Sequence, residues 1–75
     1  RPLVLTAQEH RILAYLVHRG EAVVSRAELG EHVYEQGYDP DSNVLDVLIG
    51  RIRRKIGAGR IVTERGKGFR LVALP

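Results

Sequence analysis

The chain lacks cysteine, methionine and tryptophan entirely. Without cysteine it has no disulfide framework and no thiolate metal site, which fits a reducing cytosol. Without an initiator methionine, and opening on Arg1-Pro2, the 75 residues are expected to be a piece of a longer polypeptide. No apolar run approaches the roughly 18 residues of a membrane-spanning helix, and no signal peptide opens the chain. We therefore expect a cytoplasmic fragment without membrane association.

The composition that is present is that of one small globular domain. Hydrophobic residues make up 44% of the chain and charged residues 28%, which is too apolar for a disordered segment. A domain of this size buries only about 60% of the surface that its unfolded chain exposes, so its core must be simple. We expect a single domain over residues 1–75.

The net charge of +3 hides an asymmetry between the two halves. Residues 1–41 carry four basic and seven acidic side chains, a net charge of −3, whereas residues 42–75 carry eight basic and two acidic ones, a net charge of +6. A concentrated basic half is typical of nucleic-acid binding, because Lys and Arg release counterions at phosphates. A merely solvated basic surface would have the same charge, so charge alone leaves the two readings open.

A strand and a capped helix are predicted at the start of the chain. Residues 3–5 have the composition of a short strand. Thr6 and Glu9 have the spacing of a capping box, which predicts a helix over about residues 7–19. Gly20 suits the left-handed position just beyond the end of that helix.

A second helix and a loop complete the acidic half. Ser25 and Glu28 repeat the capping spacing, and the helix that they open is expected to end near Tyr34. Turn-forming residues over 35–42 predict an exposed loop, and Pro40 disfavours a helical conformation immediately before it.

A third helix is predicted over about residues 43–57, and its two faces differ. When the residues are projected at about 100° each, the apolar ones gather on one side, which is expected to face the core. That face carries Val44, Leu45, Leu48, Ile49, Ile52 and Ile56. The opposite face carries Asn43, Asp46, Val47, Gly50, Arg53 and Arg54, with Arg51 and Lys55 at its margin. The helix is thus amphipathic, with one apolar side and a basic outer side.

The last segment predicts a β-hairpin, with strands over 60–63 and 69–72 around a basic, glycine-rich turn over 64–68.

The third helix and the hairpin turn have side chains that suit DNA. A helix fits the major groove, where Arg can pair with guanine, Asn with adenine and Val with a thymine methyl group. Arg65 at the turn can enter the narrower minor groove. The candidate DNA-binding residues are Asn43, Asp46, Val47, Arg51, Arg53, Arg54, Lys55, Arg65, Lys67 and Arg70.

Four sequence blocks also match a known family. They are Leu5-Thr6 with Glu9 and Leu13, Val24-Ser25-Arg26 with Leu29, residues 42–47 through 51–56, and Thr63 with residues 65–71. In these blocks the chain resembles the OmpR/PhoB-type effector domain of bacterial two-component response regulators. The resemblance covers nearly the whole chain, and the last two blocks together are strongly specific.

This resemblance implies an α+β, winged helix-turn-helix fold: a three-helix core, a C-terminal hairpin wing and the last strand of an N-terminal sheet at residues 3–5. It implies that the third helix is the recognition helix in the major groove, that Arg65 reaches the minor groove, and that two copies bind a direct repeat. It also implies a missing receiver domain, phosphorylated by a sensor kinase, and a loop that contacts RNA polymerase. The residues of that loop are Glu35, Gln36, Tyr38, Asp39 and Asp41.

Three positions depart from the family pattern. Gly50 and Leu48 stand where the family commonly has a basic or polar residue, which removes one or two phosphate contacts. Gly50 either marks a close approach to DNA or reflects drift. Glu64 replaces an apolar residue before Arg65, where it either orients Arg65 or faces solvent.

The other functional readings have less support in the sequence. His10, His18 and His32 lack metal-ligand spacing, and we expect no metal or cofactor. Asp46 has no second carboxylate for catalysis, so we expect no enzyme; it is instead expected to orient Arg51 or Arg53, or to approach a cytosine amino group. The alternatives to DNA binding are a winged-helix module that binds protein and an RNA-binding module.

Overall fold

The computed structural model describes residues 4–34, 37 and 39–72. The elements, in chain order, are the helices α1 (Ala7–His18), α2 (Arg26–Val33) and α3 (Val44–Ile56), a 3-10 helix (Ala58–Arg60), and the strands β1 (Ile61–Glu64) and β2 (Gly68–Leu71). The expected three-helix core followed by a hairpin is confirmed. We call the β1–β2 hairpin the wing.

Helix α1 begins at the capping box that the sequence predicts. The Glu9 N–H donates to Thr6 Oγ1 over 3.2 Å, and the Thr6 N–H donates to Glu9 Oε1 over 3.0 Å. These bonds satisfy two backbone donors that the first turn of a helix otherwise leaves unpaired. The helix ends at His18, one residue before the predicted end, and Gly20 has a φ of +68°, as expected beyond a helix end.

Helix α2 begins at Ser25, whose Oγ accepts a hydrogen bond from the Glu28 N–H over 3.0 Å. The Glu28 carboxylate does not complete a second capping box, because it accepts hydrogen bonds from the Tyr15 hydroxyl and the Arg19 guanidinium. These two bonds lower the pKa of Glu28 below its ordinary value. The Glu28 side chain therefore links α2 to α1 instead of capping α2. Helix α2 ends at Val33, close to the predicted end near Tyr34.

Helix α3 packs its apolar face on the other two helices. Leu45, Leu48, Ile49 and Ile52 are buried, as predicted from the helical projection, and Ile56 packs partly buried against them. Val44 was expected on the same face, but 38% of it is exposed. It lies in the first turn at the margin of the apolar stripe, about 100° around the helix from Leu45.

The wing confirms the predicted hairpin, with each strand shifted by one residue. Strands β1 and β2 pair antiparallel, with Thr63 opposite Phe69. Val24 extends the pairing on the far side of β2: its N–H donates to the Phe69 carbonyl over 2.8 Å, and the Phe69 N–H donates to the Val24 carbonyl over 2.9 Å. Strand β2 thus lies between β1 and the segment that leads into α2.

The prediction of a strand at residues 3–5 is wrong for residues 4 and 5, which the structure describes. Val4 and Leu5 belong to no strand, and residue 3 lies outside the described ranges. A strand needs a hydrogen-bonded neighbour, and no backbone bond joins Val4 or Leu5 to another described segment.

The core unites all three helices with the wing. Its buried members are Ile12, Leu16, Val24, Leu29, Val33, Leu45, Leu48, Ile49, Ile52, Ile61 and Phe69. Ile61 and Phe69 enter it from the two wing strands, so packing as well as the connecting chain determines where the wing lies relative to α3. Within the described ranges, no helix has the length and apolarity needed to span a membrane.

Candidate nucleic-acid interface

The side of α3 away from the core forms an exposed surface that we call the outer face. Its members are Asn43, Val47, Gly50, Arg51 and Arg54. All except the half-buried Gly50 are exposed, and Val47 is 41% exposed. Over the part of the chain that the structure describes, the side chains of Asn43, Arg51 and Arg54 make no hydrogen bond or ion pair. Two guanidinium groups, an amide and a valine are therefore available together on one helical surface.

The wing turn presents a second group of cations. Arg65 and Lys67 are exposed in the turn between β1 and β2, and within the described ranges neither side chain has a hydrogen-bonding partner. Arg70 behaves differently, because its Nε donates to Glu64 Oε2 over 3.0 Å. The expectation that Glu64 orients Arg65 is therefore wrong: Glu64, whose side chain is 34% exposed, pairs with the basic side chain on the opposite strand.

Asp46 is held by Arg26, which is not among the candidate DNA-binding residues. Two hydrogen bonds of 2.7 and 2.6 Å join the Arg26 guanidinium to the Asp46 carboxylate, one to each carboxylate oxygen. The same guanidinium lies 5.5 Å from the centre of the Phe69 ring. The Arg26 hydrogen bonds lower the pKa of Asp46. The expectation that Asp46 orients Arg51 or Arg53 is wrong, since its partner lies on α2.

Lys55, expected at the margin of the basic face, is paired with the first helix. Its Nζ donates to Glu9 Oε1 over 2.5 Å, and the Glu9 side chain is only 1% exposed. The Lys55 hydrogen bond and the Thr6 N–H bond lower the pKa of Glu9, against the opposing effect of burial. One buried carboxylate therefore both caps α1 and anchors the end of α3.

Arg53 extends from α3 towards the wing. Its Nε donates to the Ile61 carbonyl over 2.9 Å, and its Nη2 donates to Thr63 Oγ1 over 2.8 Å. Four of the ten predicted DNA-binding side chains thus have partners within the chain: Asp46, Arg53, Lys55 and Arg70. The other six, on the outer face and the wing turn, make no side-chain hydrogen bond or ion pair with another described residue.

The loop expected to contact RNA polymerase is described only in part. Asp39 and Asp41 are exposed, and the Asp39 carboxylate accepts a hydrogen bond from the Asp41 N–H over 3.0 Å. Glu35, Gln36 and Tyr38 lie outside the described residues. The described part borders an open groove with the N-terminal half of α1, so it lies beside a different helix surface from the outer face of α3.

The partners that sequence reasoning missed are distant in the chain. Arg26 and Asp46 are 20 positions apart, and Glu9 and Lys55 are 46 apart. The only sequence signal was the presence of opposite charges on predicted helices, which does not specify a pair. Within the described ranges, no group of three or more His, Asp or Glu side chains is arranged to hold a metal ion.

Comparison with known proteins matches residues 1–71 to the family described as "Transcriptional regulatory protein, C terminal". The chain is 42% identical over 73 residues to the two-component response regulator PhoP of Pseudomonas aeruginosa, a match that covers 92% of this chain and 32% of that protein. It is 44% identical over 71 residues to the transcriptional regulatory protein PmrA of Pectobacterium parmentieri, covering 95% of this chain and 32% of that protein. The chain therefore spans about a third of the length of these relatives.

Two solved structures share the fold. The DNA-binding domain of CpxR from Escherichia coli superposes with a TM-score of 0.83 at 32% identity, covering 95% of this chain and 74% of that one. The Klebsiella pneumoniae RstA DNA-binding domain, solved in complex with the RstA box, gives 0.82 at 27% identity, covering 93% and 74%. The expected winged-helix class and the resemblance to response-regulator effector domains are both confirmed. The matched family is one of transcription regulators and not an enzyme family. The chain belongs to the C-terminal domain family of transcriptional regulatory proteins.

Proposed function

We propose that this domain binds double-stranded DNA sequence-specifically and thereby regulates transcription. The observation that carries the proposal is the presence of two exposed surfaces, the outer face of α3 and the wing turn, whose cations make no hydrogen bond or ion pair with another described residue. Family membership and the DNA complex of the RstA domain support the same conclusion.

The chemistry of the outer face suits the major groove. Arg51 and Arg54 can each donate two parallel hydrogen bonds to guanine O6 and N7, and Asn43 can pair with adenine N6 and N7. Val47 can contact a thymine methyl group. Each good two-point base contact discriminates against the wrong base by about 1–3 kcal/mol, so a few of them are enough to specify a short site.

The wing turn suits the adjacent minor groove and its phosphates. A guanidinium is attracted into a narrow minor groove by the enhanced negative potential there. Arg65 should therefore bind preferentially where the sequence is AT-rich. Lys67, two positions away, is placed to neutralise a phosphate. Every phosphate that such a side chain neutralises on duplex DNA adds about −0.9 to the slope of log affinity against log salt. Binding should therefore weaken steeply as salt rises.

The wider setting of the domain is proposed on family membership. The domain would be the output domain of a response regulator in the bacterial cytoplasm, with no catalytic activity of its own. A receiver domain and its sensor kinase would control it, and two copies would bind a direct repeat. The loop over residues 35–42, with the exposed carboxylates of Asp39 and Asp41, would contact RNA polymerase.

Selection from random duplexes tests the proposed DNA binding. The folded chain is incubated with the pool at two salt concentrations, bound DNA is sequenced, and the enriched duplex is titrated by fluorescence anisotropy. We expect a repeated motif. Arg51→Ala should weaken its binding by roughly 5- to 150-fold, the range for one lost base contact. Arg65→Ala should remove the preference for AT-rich flanks.

A matched control removes a cation elsewhere. Arg11 is exposed on α1, outside both proposed DNA-binding surfaces, and Arg11→Ala makes the same change in charge. It should leave the selected motif and the affinity for it nearly unchanged. Equal losses in Arg11→Ala and Arg51→Ala would indicate nonspecific attraction by net charge. A folded chain without salt-sensitive DNA binding would instead support a protein-interaction module.

A further inference from the structure

Arg53 occupies a different position from the other two arginines of α3. It is half-buried on the side of α3 that faces β1, whereas Arg51 and Arg54 are exposed. Its two hydrogen bonds both end on β1, one at a backbone carbonyl and one at a side-chain hydroxyl two residues further on. Because a guanidinium is planar with donors in fixed directions, two such bonds constrain the orientation of the strand as well as its distance.

The topology of the wing shows why this attachment matters. Strand β2 is bonded on both sides, to β1 and to Val24, and Phe69 packs it into the core. Strand β1 pairs only with β2, so its outer edge has no neighbouring strand among the described residues. Arg53 contacts β1 through the Ile61 carbonyl and the Thr63 hydroxyl. Thr63, one of its acceptors, lies two residues before Arg65, the side chain proposed to enter the minor groove.

We infer that Arg53 is a positioning residue, which fixes the distance and angle between the outer face of α3 and the wing turn. The inference rests on the proposed DNA binding, and it assigns Arg53 a role distinct from phosphate contact. Side chains that must reach two adjacent grooves together bind more tightly when their relative placement is set before binding, because less freedom is lost on association. Removing Arg53 would keep both Arg51 and Arg65 in the chain, but their positions relative to each other would be less rigidly fixed.

The two roles predict different behaviour once the wing no longer contacts DNA. A positioning residue acts through the wing, so Arg53→Ala should weaken binding when Arg65 and Lys67 are present and have no effect when both are alanine. A phosphate ligand acts by itself, so its removal should weaken binding in both backgrounds. It would also reduce the magnitude of the salt slope by about 0.9 in each.

The experiment is a double-mutant cycle on the full chain. Affinity for the selected duplex is measured at several salt concentrations for Arg53→Ala in the parent and in the Arg65→Ala/Lys67→Ala background. We expect a loss on the order of tenfold in the parent, typical of coupled groups. In the double-alanine background we expect no further loss and no change in salt slope. Arg54→Ala is the matched control, and its effect should persist in both backgrounds.

Thr63→Val provides a second variant that keeps every cation. It removes only the hydroxyl that accepts from Arg53 Nη2, so it should weaken binding in the parent by less than Arg53→Ala and have no effect in the double-alanine background. Thermal unfolding checks that each variant is folded, and Thr63→Val carries the test if Arg53→Ala is not. A persistent loss for Arg53→Ala, with a reduced salt slope, in the double-alanine background would overturn the inference. A parent without specific DNA binding would overturn the proposed function instead.

Discussion

Replacing Gly68 by alanine should separate the wing from the segment before α2. Gly68 begins β2 with a φ of +145°, a backbone conformation that L side chains rarely adopt. A Cβ built there lies 2.0 Å from the Val24 carbonyl oxygen and 2.8 Å from the Ser25 Cα. Both obstacles are backbone atoms, so no side-chain rotation can relieve the clash. The strand must move by about 1 Å or more to restore an ordinary contact.

That movement has a calculable cost. Two backbone hydrogen bonds of 2.8 and 2.9 Å join Val24 to Phe69, and an added 1 Å takes both beyond hydrogen-bonding distance. Their net loss costs about 1 kcal/mol each. Holding alanine in a sparsely populated backbone conformation costs a further 1–3 kcal/mol or so. The expected destabilisation is therefore roughly 3–5 kcal/mol, against a total stability of about 4–11 kcal/mol for a domain of this length.

Urea unfolding followed by circular dichroism measures this difference. The matched control is Gly20→Ala, because Gly20 also has a positive φ, +68°, but a Cβ there meets nothing within 4 Å. The control should lose only the backbone strain, about 1–2 kcal/mol. If Gly68→Ala lost no more stability than Gly20→Ala, the close approach of β2 to Val24 would not have the structural role described above.

Four other substitutions test the packing and the ion pairs, each by urea unfolding. Ile52→Ala, at a core side chain with 0% exposure, should cost about 2–5 kcal/mol. Lys55→Met leaves the buried Glu9 carboxylate without its cation and should cost roughly 1–3 kcal/mol. Because the folded pKa of Glu9 lies below 4.5, its contribution is present above pH 4.5 and lost as the pH falls through the folded pKa. Glu9→Gln should therefore flatten the acid side of the stability profile. Arg26→Met breaks an exposed pair with Asp46 and should cost less than about 1 kcal/mol.

The features that the sequence predicts correctly depend on neighbours in the chain. The Thr6–Glu9 capping box spans four residues, and the apolar stripe of α3 repeats within two turns, so composition and spacing determine both. The hairpin follows from a short glycine-rich turn between two apolar segments. Helical periodicity does not predict the exposure of Val44. At the edge of an apolar stripe, the exposure of a side chain depends on how far the neighbouring helices extend over it.

The features that the sequence could not predict depend on tertiary placement. Whether Asp46 pairs with Arg26, Arg51 or Arg53 is decided by how α2 crosses α3. Lys55 and Glu9 meet only after α1 and α3 have packed. The strand expected at residues 3–5 is a related case, since strand formation requires a partner that spacing within three residues cannot reveal.

The proposed DNA binding through α3 and the wing turn is tested by titrating the isotopically labelled chain with the selected duplex and following backbone amides by NMR. We expect the largest shifts on the outer face of α3 and in the wing turn at Arg65 and Lys67. The amides around Arg11 on α1 should change little, because that surface lies outside both groups. If the largest shifts instead occurred on α1 or beside Asp39 and Asp41, with α3 and the wing turn unchanged, DNA would not bind at the two proposed surfaces.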